Sequence, residues 1–401
     1  MSTIFGDPNL RPTLSGKQHA KNQTLTGTNN QDNSLVGDVD TITDNAKGGN
    51  DTLIGGNNTV AGSIITNTLI GDADTLSGSA QGGNDTLIGG DNTDTGFVEN
   101  ALVGDAFNMS VSAKGGNDTL IGGNNTGTGS VANDLVGDAE DTMSDSTQGG
   151  SDTLIGGNNT GAGFLLPFLV GDAGIMSGSA QGGNDTLIGG NNTDTGFVQN
   201  QLFGDAVGMS GSAKGGNDTL IGGNNTGING FVENDLFGDA GPVSGSAQGG
   251  NNTLIGGNSN GGGAVSNFLI GAADIMSDFA HAGNNTLIAG TATAGSTVSN
   301  DMWGNALLII GSNVTLGQDT FIFKDNVAAG QTVGKNNVIE DFSQSQHDKI
   351  AFIGVAGVNS FADLSLLVQA GATLITAGAD QVTLNNFTGT LTANDFLFAP
   401  A

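Results

Sequence analysis

The chain has no cysteine, which excludes a disulfide scaffold and any thiolate metal site. Basic residues are scarce: 9 Lys and Arg stand against 39 Asp and Glu, a formal net charge of −30, so nucleic acid and anionic membrane surfaces are poor partners. Only 5 prolines occur, which removes collagen-like and Pro-rich linker readings. No apolar run approaches the roughly 20 residues of a membrane span; the longest, Phe164 to Val170, is interrupted by Pro167. Met1 to Thr24 lacks the apolar stretch of a Sec signal peptide, and no glycine-rich run ends in Gly-Lys-Ser or Gly-Lys-Thr, so there is no phosphate loop.

What is abundant is glycine, 71 of 401 residues, and it is periodic. The phrase Gly-Gly-Asn-Asp-Thr-Leu-Ile-Gly-Gly recurs with its leucine at Leu53, Leu87, Leu120, Leu154, Leu187, Leu220, Leu254 and Leu287, 33 or 34 residues apart. Such a fixed period marks a stack of equivalent units. A second phrase, Asn-Asp-Leu-Val-Gly-Asp-Ala at Asn133 to Ala139, places leucines at Leu35, Leu69, Leu102, Leu135, Leu169, Leu202, Leu236 and Leu269. It divides the repeat into two near-equal steps. Each step reads as one turn of a narrow parallel β-roll, which predicts an all-β β-solenoid of about 16 short turns, roughly 80 Å long at about 4.8 Å per turn.

Weaker apolar positions follow each phrase: Ile64, Phe97, Val131, Leu165, Phe197, Phe231, Val265 and Val298 after the first, and Leu76, Met109, Met143, Met176, Met209, Val243 and Met276 after the second. Two short strands per turn, each sending one or two apolar residues inward, account for them. The domain plan is an irregular N-terminal arm over 1–21, solenoid repeats over 22–316 and a C-terminal β-rich cap over 317–401. In the cap, Ser360 to Ala370 reads as a short helix, followed by strands at Thr373 to Thr376 and Gln381 to Leu384.

Stacking aligns two acidic rows, one holding Asp51, Asp85, Asp118, Asp152, Asp185 and Asp218, the other Asp72, Asp105, Asp138, Asp172, Asp205 and Asp239. With two turns per repeat, neighbours in a row lie about 10 Å apart and repel by roughly 0.4 kcal/mol in water, or about 1.7 kcal/mol at an effective dielectric near 20. Hard cations held by carboxylate and turn carbonyl oxygens would turn that penalty into metal-coupled folding. The alternative is that Asp and Asn cap their own turns in Asx-turns and ladders. The first row fades at Asn252 and Asn285, the second at Ala272, and Asp319 restores the first row at the cap.

The repeated phrase resembles the glycine- and aspartate-rich nonapeptide of RTX (hemolysin-type calcium-binding) proteins, with Asp118 and Leu120 on the motif's Asp and apolar positions. Gly317-Gln-Asp-Thr-Phe-Ile-Phe323, Asn337-Val-Ile-Glu-Asp-Phe-Ser343 and the final Leu391 to Ala399 are similar to the terminal cap of serralysin-like secreted proteases. The resemblance implies a roll that binds Ca2+ through Asp51, Asp85, Asp118, Asp152, Asp185, Asp218 and Asp319. It also implies type I secretion directed by the uncleaved C-terminal region, and hence an extracellular or cell-surface location.

No catalytic constellation stands out. His19, His281 and His347 are the only imidazoles and lie far apart in sequence; His281 reads as a surface substitution where other copies have Ser or Ala. Carboxylate pairs such as Asp138 with Glu140, or Asp141 with Asp145, could in principle do acid/base work, yet acids that recur with the units point to structural or metal use. The expectation is a non-enzymatic, calcium-stabilised structural protein that self-associates end to end or laterally into a surface layer, matrix or fibre. The rivals are a binding solenoid and an enzyme. The first would take cell-surface glycans, or ice through Thr-x-Thr steps such as Thr93 with Thr95, Thr126 with Thr128 and Thr193 with Thr195. The second would act on polysaccharide at a flank.

Overall fold

A computed structural model describes residues 3–6 and 13–400. Alternation is the local signal that builds it. In each coil a seven-residue strand such as Phe97–Val103 is followed, across Gly-Asp, by a four- or five-residue strand such as Ala106–Met109, and then by the three-residue strand Thr119–Ile121. The three strands form three different faces, here the long face, the methionine face and the Thr-Leu-Ile face. Successive copies stack in parallel, residue on equivalent residue: Phe97 pairs with Ile64 and Ser130, Leu120 with Leu87 and Leu154. The three resulting sheets have 14, 10 and 12 strands.

The protein is thus an all-β parallel β-solenoid, but the 33- or 34-residue repeat is one coil and not two. About 10 coils are present, against the 16 turns expected, and the stack is about 48 Å long at about 4.8 Å per coil. The two leucines per repeat stand on opposite walls of the same coil. Leu102 on the long face and Leu120 on the Thr-Leu-Ile face both point inward and belong to one continuous buried column. An inner Ala/Met column, including Ala106, Met109, Ala113 and Met143, fills the space behind the methionine face.

A third column is shifted by one residue from half of its expected positions. The buried members are Ile65, Val98, Val131, Leu165, Val198, Val232, Val265 and Val298, whereas Ile64 is 71% exposed and Phe97, Phe197 and Phe231 lie on the outside of their strands. Period-two geometry sends adjacent residues to opposite faces, so these aromatic residues form an outer ladder. Phe164 meets Phe197 edge-on and Phe197 stacks on Phe231 with ring centroids 5.7 Å apart.

The segment expected as an irregular arm falls partly outside the described residues, 1, 2 and 7–12; Ile4–Phe5 and Thr13–Leu14 pair in parallel with the coil that follows. At the other end the long face runs into an antiparallel meander of Leu364–Gln369, Ala372–Ala377 and Asp380–Leu384. The helix expected over Ser360 to Ala370 is only a single 3-10 turn, Phe361–Asp363, in which the Asp363 carboxylate accepts from the N–H groups of Asn359 and Ser360. Leu364–Gln369 then pairs along its whole length with Ala372–Ala377, and six ladder positions outweigh helix propensity.

Removing one inner leucine tests this geometry. Leu154→Ala should lower unfolding free energy by about 2–5 kcal/mol, as for other buried leucines, while Ile155→Ala, one residue along and facing out, should cost well under half as much. Urea unfolding followed by circular dichroism measures both, and equal losses would contradict the inward placement.

Candidate metal-binding column

Four polar columns line the interior, and they differ in whether their hydrogen bonds close; one, through Asn92, Asn125, Asn159 and Asn192, is an amide ladder at the turn before the long face, each amide donating to the next. On the long face Asn67, Asn100 and Asn133 sit two residues before inward leucines and are fully buried. Each amide donates to the next, Asn67 to Asn100 and Asn100 to Asn133 at 2.8 Å. Each side-chain oxygen also takes a glycine N–H, such as Gly90 on Asn100 and Gly123 on Asn133. Donors and acceptors balance. Pro167 interrupts this ladder; Asn133 donates instead to the Gly156 carbonyl at 2.9 Å, and Gly157, freed of its amide partner, adopts φ +80°.

The two aspartate rows also face inward. Asp51, Asp85, Asp118, Asp152, Asp185 and Asp218 are at most 2% exposed, as are Asp38, Asp72, Asp105, Asp138, Asp172, Asp205 and Asp239. In the first row one oxygen accepts the backbone N–H of the preceding rung: Asp85 on Asp118 at 2.6 Å, Asp118 on Asp152 at 2.7 Å. In the second row an oxygen accepts from the second glycine of the repeated phrase, as from Gly83 to Asp72 and from Gly150 to Asp138, both at 2.8 Å. Most carboxylates are therefore tied to the main chain through one oxygen only; Asp105 is the exception, taking the Gly116 N–H on both.

Most of the remaining oxygens are buried with no donor. The Oδ2 atoms of Asp51, Asp85, Asp118, Asp152, Asp185 and Asp218 are buried without a hydrogen-bond donor, as are second-row oxygens of Asp72, Asp138, Asp172, Asp205 and Asp239. Glycine makes the space. A Cβ on Gly71 would strike the Asp85 carboxylate and the Gly104 carbonyl oxygen, and a Cβ on Gly82 would strike both Asp72 and Asp105.

Variation among the coils shows what closes the gap. Each coil joins a first-row residue to the second-row residue 13 or 14 positions before it: Asp51 with Asp38, Asp85 with Asp72, Asp118 with Asp105, Asp152 with Asp138, Asp185 with Asp172, and Asp218 with Asp205. Where the pair becomes Asn252 with Asp239, the amide donates to the carboxylate at 2.7 Å; where it becomes Asp319 with Asn305, the amide donates at 2.8 Å. Where the second-row acid is lost altogether, at Ala272, its partner is the uncharged Asn285. From Asp85 with Asp72 to Asp218 with Asp205, Asp opposite Asp supplies no such amide donor, so those coils need a proton or a cation.

Electrostatics points the same way. One coil, not two, separates neighbours in a row, so two charges there repel by about 0.9 kcal/mol in water and about 3.5 kcal/mol at an effective dielectric near 20, twice the sequence-based figure. Burial and then the facing acid push the carboxyl of Asp51 up to about 7 and those of Asp85, Asp138 and Asp185 well above their usual range. Burial raises Asp172 to about 6 and Asp319 to about 8 against the opposing pull of backbone N–H donors. The donor set is all hard oxygen, which suits Ca2+ or Mg2+ over softer-ligand metals. Among the described residues no three acidic or imidazole side chains form a ready-made cluster, so each site would draw on facing carboxylates and the adjoining glycine carbonyls.

The other candidates are scattered. His19 and His281 lie on the same corner column but at opposite ends, separated by Lys47, Gln81, Lys114 and others; His281 thus aligns with Gln248 and Thr315, not with Ser or Ala as expected. His347 occupies a left-handed turn in the cap. Asp138 points inward while Glu140, on the outer side of the methionine face, is raised to about 7 by burial and by Asp134 and Asp141, so the two do not share a site. Asp134, raised to about 6 by burial and Glu99, belongs to that outer acidic cluster, which sequence reasoning did not pick out. Thr93, Thr95, Thr126 and Thr128 lie in or beside the turns leading into the long face and not on a flat strand face. Comparison with family models, with curated proteins and with solved structures yields no match.

A raised folded-state pKa means that a carboxyl's contribution is fully present below its unfolded value near 4 and is lost as pH climbs through the folded value. Metal-free protein should therefore be more stable at pH 5 than at pH 8, with the loss accruing from about pH 4 upward and levelling off between about 6 and 8 as Asp172, Asp51 and Asp319 ionise. Asp152→Asn should reproduce the Asn252 to Asp239 bond and raise stability in chelator at pH 7.5 by about 1–3 kcal/mol. Thermal melts in chelator check both; a flat pH profile, or a destabilised Asp152→Asn, would contradict this account.

Proposed function

We propose that this protein is a secreted, calcium-stabilised structural rod that self-associates as a subunit of a bacterial surface layer, matrix or extracellular fibre. The observation that carries the calcium half is the set of coils in which two buried aspartates face each other with oxygens that meet no donor, beside coils in which an Asn–Asp pair closes the same contact with a hydrogen bond. Calcium supplies positive charge and accepts six to eight oxygen ligands, and candidate ligands are Asp51, Asp85, Asp118, Asp152, Asp185 and Asp218 with their second-row partners and glycine carbonyls, whereas the Asn305 amide already serves Asp319.

The structural half rests on how the chemistry is distributed. Acidic groups recur coil by coil and do not gather in one cleft, the histidines stay apart, and the polar ladders are spent on holding coils together. An RTX-type origin and type I export through the C-terminal cap are supported by the motif resemblance and by a parallel β-solenoid with Asp and Asn ladders. A catalytic reading has no comparable cluster to rest on.

Calcium titration against chelator, read by circular dichroism melting, is the direct experiment. With free Ca2+ at 100 times its dissociation constant, even one site adds about 2.7 kcal/mol, so the melting temperature should rise steeply at pH 7.5 and little at pH 5, where protons hold the carboxyls neutral. Absence of any calcium effect at pH 7.5 would remove calcium from the proposal. Electron microscopy that finds only single rods at high concentration, with and without calcium, would remove self-association.

A further inference from the structure

The outer surface of the Thr-Leu-Ile face repeats as faithfully as the core. Packing requires the inner leucine, but nothing in the coil requires what flanks it. Even so, Thr stands at 52, 86, 119, 153, 186, 219, 253, 286 and 320, and Ile at 54, 88, 121, 155, 188, 221, 255, 288 and 322, nine consecutive rungs; the pattern breaks only beyond them, with Thr26 beside Ile54 at one end and Lys349 and Ala351 beside Thr320 and Ile322 at the other. All are half-buried and face outward. The column two residues before the threonines is Asn in most rungs, with Ser151 and Gln318 as variants, and is exposed.

The other two faces act as an internal control, because they were copied with the same repeats. At the fifth position of the long face the outward residue runs Thr68, Ala101, Asp134, Phe168, Gln201 and Asp235. On the methionine face the residue after the inward alanine runs Asp74, Phe107, Glu140, Gly174 and Val207. Outward positions there have drifted freely. Uniformity confined to the outside of one face means that something outside the coil meets every rung in the same way.

We propose that the Thr-Leu-Ile face is the lateral contact between two copies of this chain, packed face to face. Three observations select that occupant. A second copy has the same rung spacing by construction, so nine identical rungs meet nine identical rungs. Over these nine rungs the three outward columns carry no charge in a chain with 39 acids, and the column bordering them, through Lys47, Gln81, Lys114 and Gln148, has no acid either, which makes this strip a place where two acidic rods can approach. Five residues at about 3.3 Å by nine rungs at about 4.8 Å give roughly 700 Å² of surface, close to the approximately 800 Å² per partner of a standard interface.

The proposal deepens the reading of the protein as a self-associating subunit and rests on it. The test compares wild type with Thr119→Lys/Thr153→Lys/Thr186→Lys and with a control on another face, Phe164→Ser/Phe197→Ser, by sedimentation equilibrium and small-angle scattering in millimolar Ca2+. Expected are a wild-type dimer whose cross-section doubles while its length stays near one rod, a triple-Lys variant at least 100-fold weaker in association with unchanged circular dichroism and melting temperature, and a control that still dimerises. Association unaffected by the triple substitution would overturn the face assignment while leaving self-association intact; a monomeric wild type would overturn both. A wild-type monomer that shapes ice crystals, with the effect abolished in the triple variant, would overturn the dimer and assign the face to a crystal lattice instead. If the triple variant misfolds, Ile121→Asn/Ile155→Asn/Ile188→Asn on the same face replaces it, with the same dimer loss expected and retained dimerisation again overturning the assignment.

Discussion

Like charges stacked one strand spacing apart inside a dry coil set the terms for the rest of this structure. A β-solenoid repeats its interior at about 4.8 Å, so any inward acid becomes a row of acids, and a row is intolerable unless neutralised. The glycines that open space against Asp72, Asp85 and Asp105, the N–H groups that hold one oxygen of each carboxylate, and the Asn and Ala replacements toward the cap all follow from that one condition. The asparagine ladder, in the same interior and under the same spacing, needs none of these devices because an amide both donates and accepts.

Much of this was legible in the sequence. The period, the leucine columns and the Met109 to Met276 column follow from spacing alone. The number of coils did not, because two leucines per repeat are equally what two turns, or two opposing walls of one turn, would show. Leu102 and Leu120 turn out to be walls. The slip between Ile64 and Ile65 arose where adjacent positions are both apolar, so composition could not choose the inward one. The inward direction of the acids was available: Asp118 and Leu120 are two apart on an extended segment, and a buried Leu120 carries Asp118 to the same side.

Burying the acids also changes what a partner meets. More than a dozen of the 39 acidic residues lie inside the coil, so the formal charge of −30 overstates the field outside once those carboxyls are neutral. The acids on the outside of the coil fall unevenly, with Glu99, Asp134, Glu140 and Asp141 gathered near the long and methionine faces and none in the outward columns of the Thr-Leu-Ile strands. The rod is therefore electrostatically sided, and its three faces offer a variable apolar and acidic surface, a variable mixed surface and a uniform neutral one.

Proton and cation are competing answers to the same demand, and they work in opposite directions of pH. A shared proton between Asp172 and its row neighbours Asp138 and Asp205 suits acid conditions, whereas a divalent cation needs the carboxyls ionised and gains as pH rises. Asparagine at 252, 285 and 305 is a third answer, independent of both. The coils nearest the cap carry it, so the end of the rod from which the C-terminal meander is built can close without metal or acid, while the central coils stay conditional. A chain arranged in this way would hold a preformed capped end, with completion of the stack set by whichever neutralising partner, proton or cation, the surroundings supply.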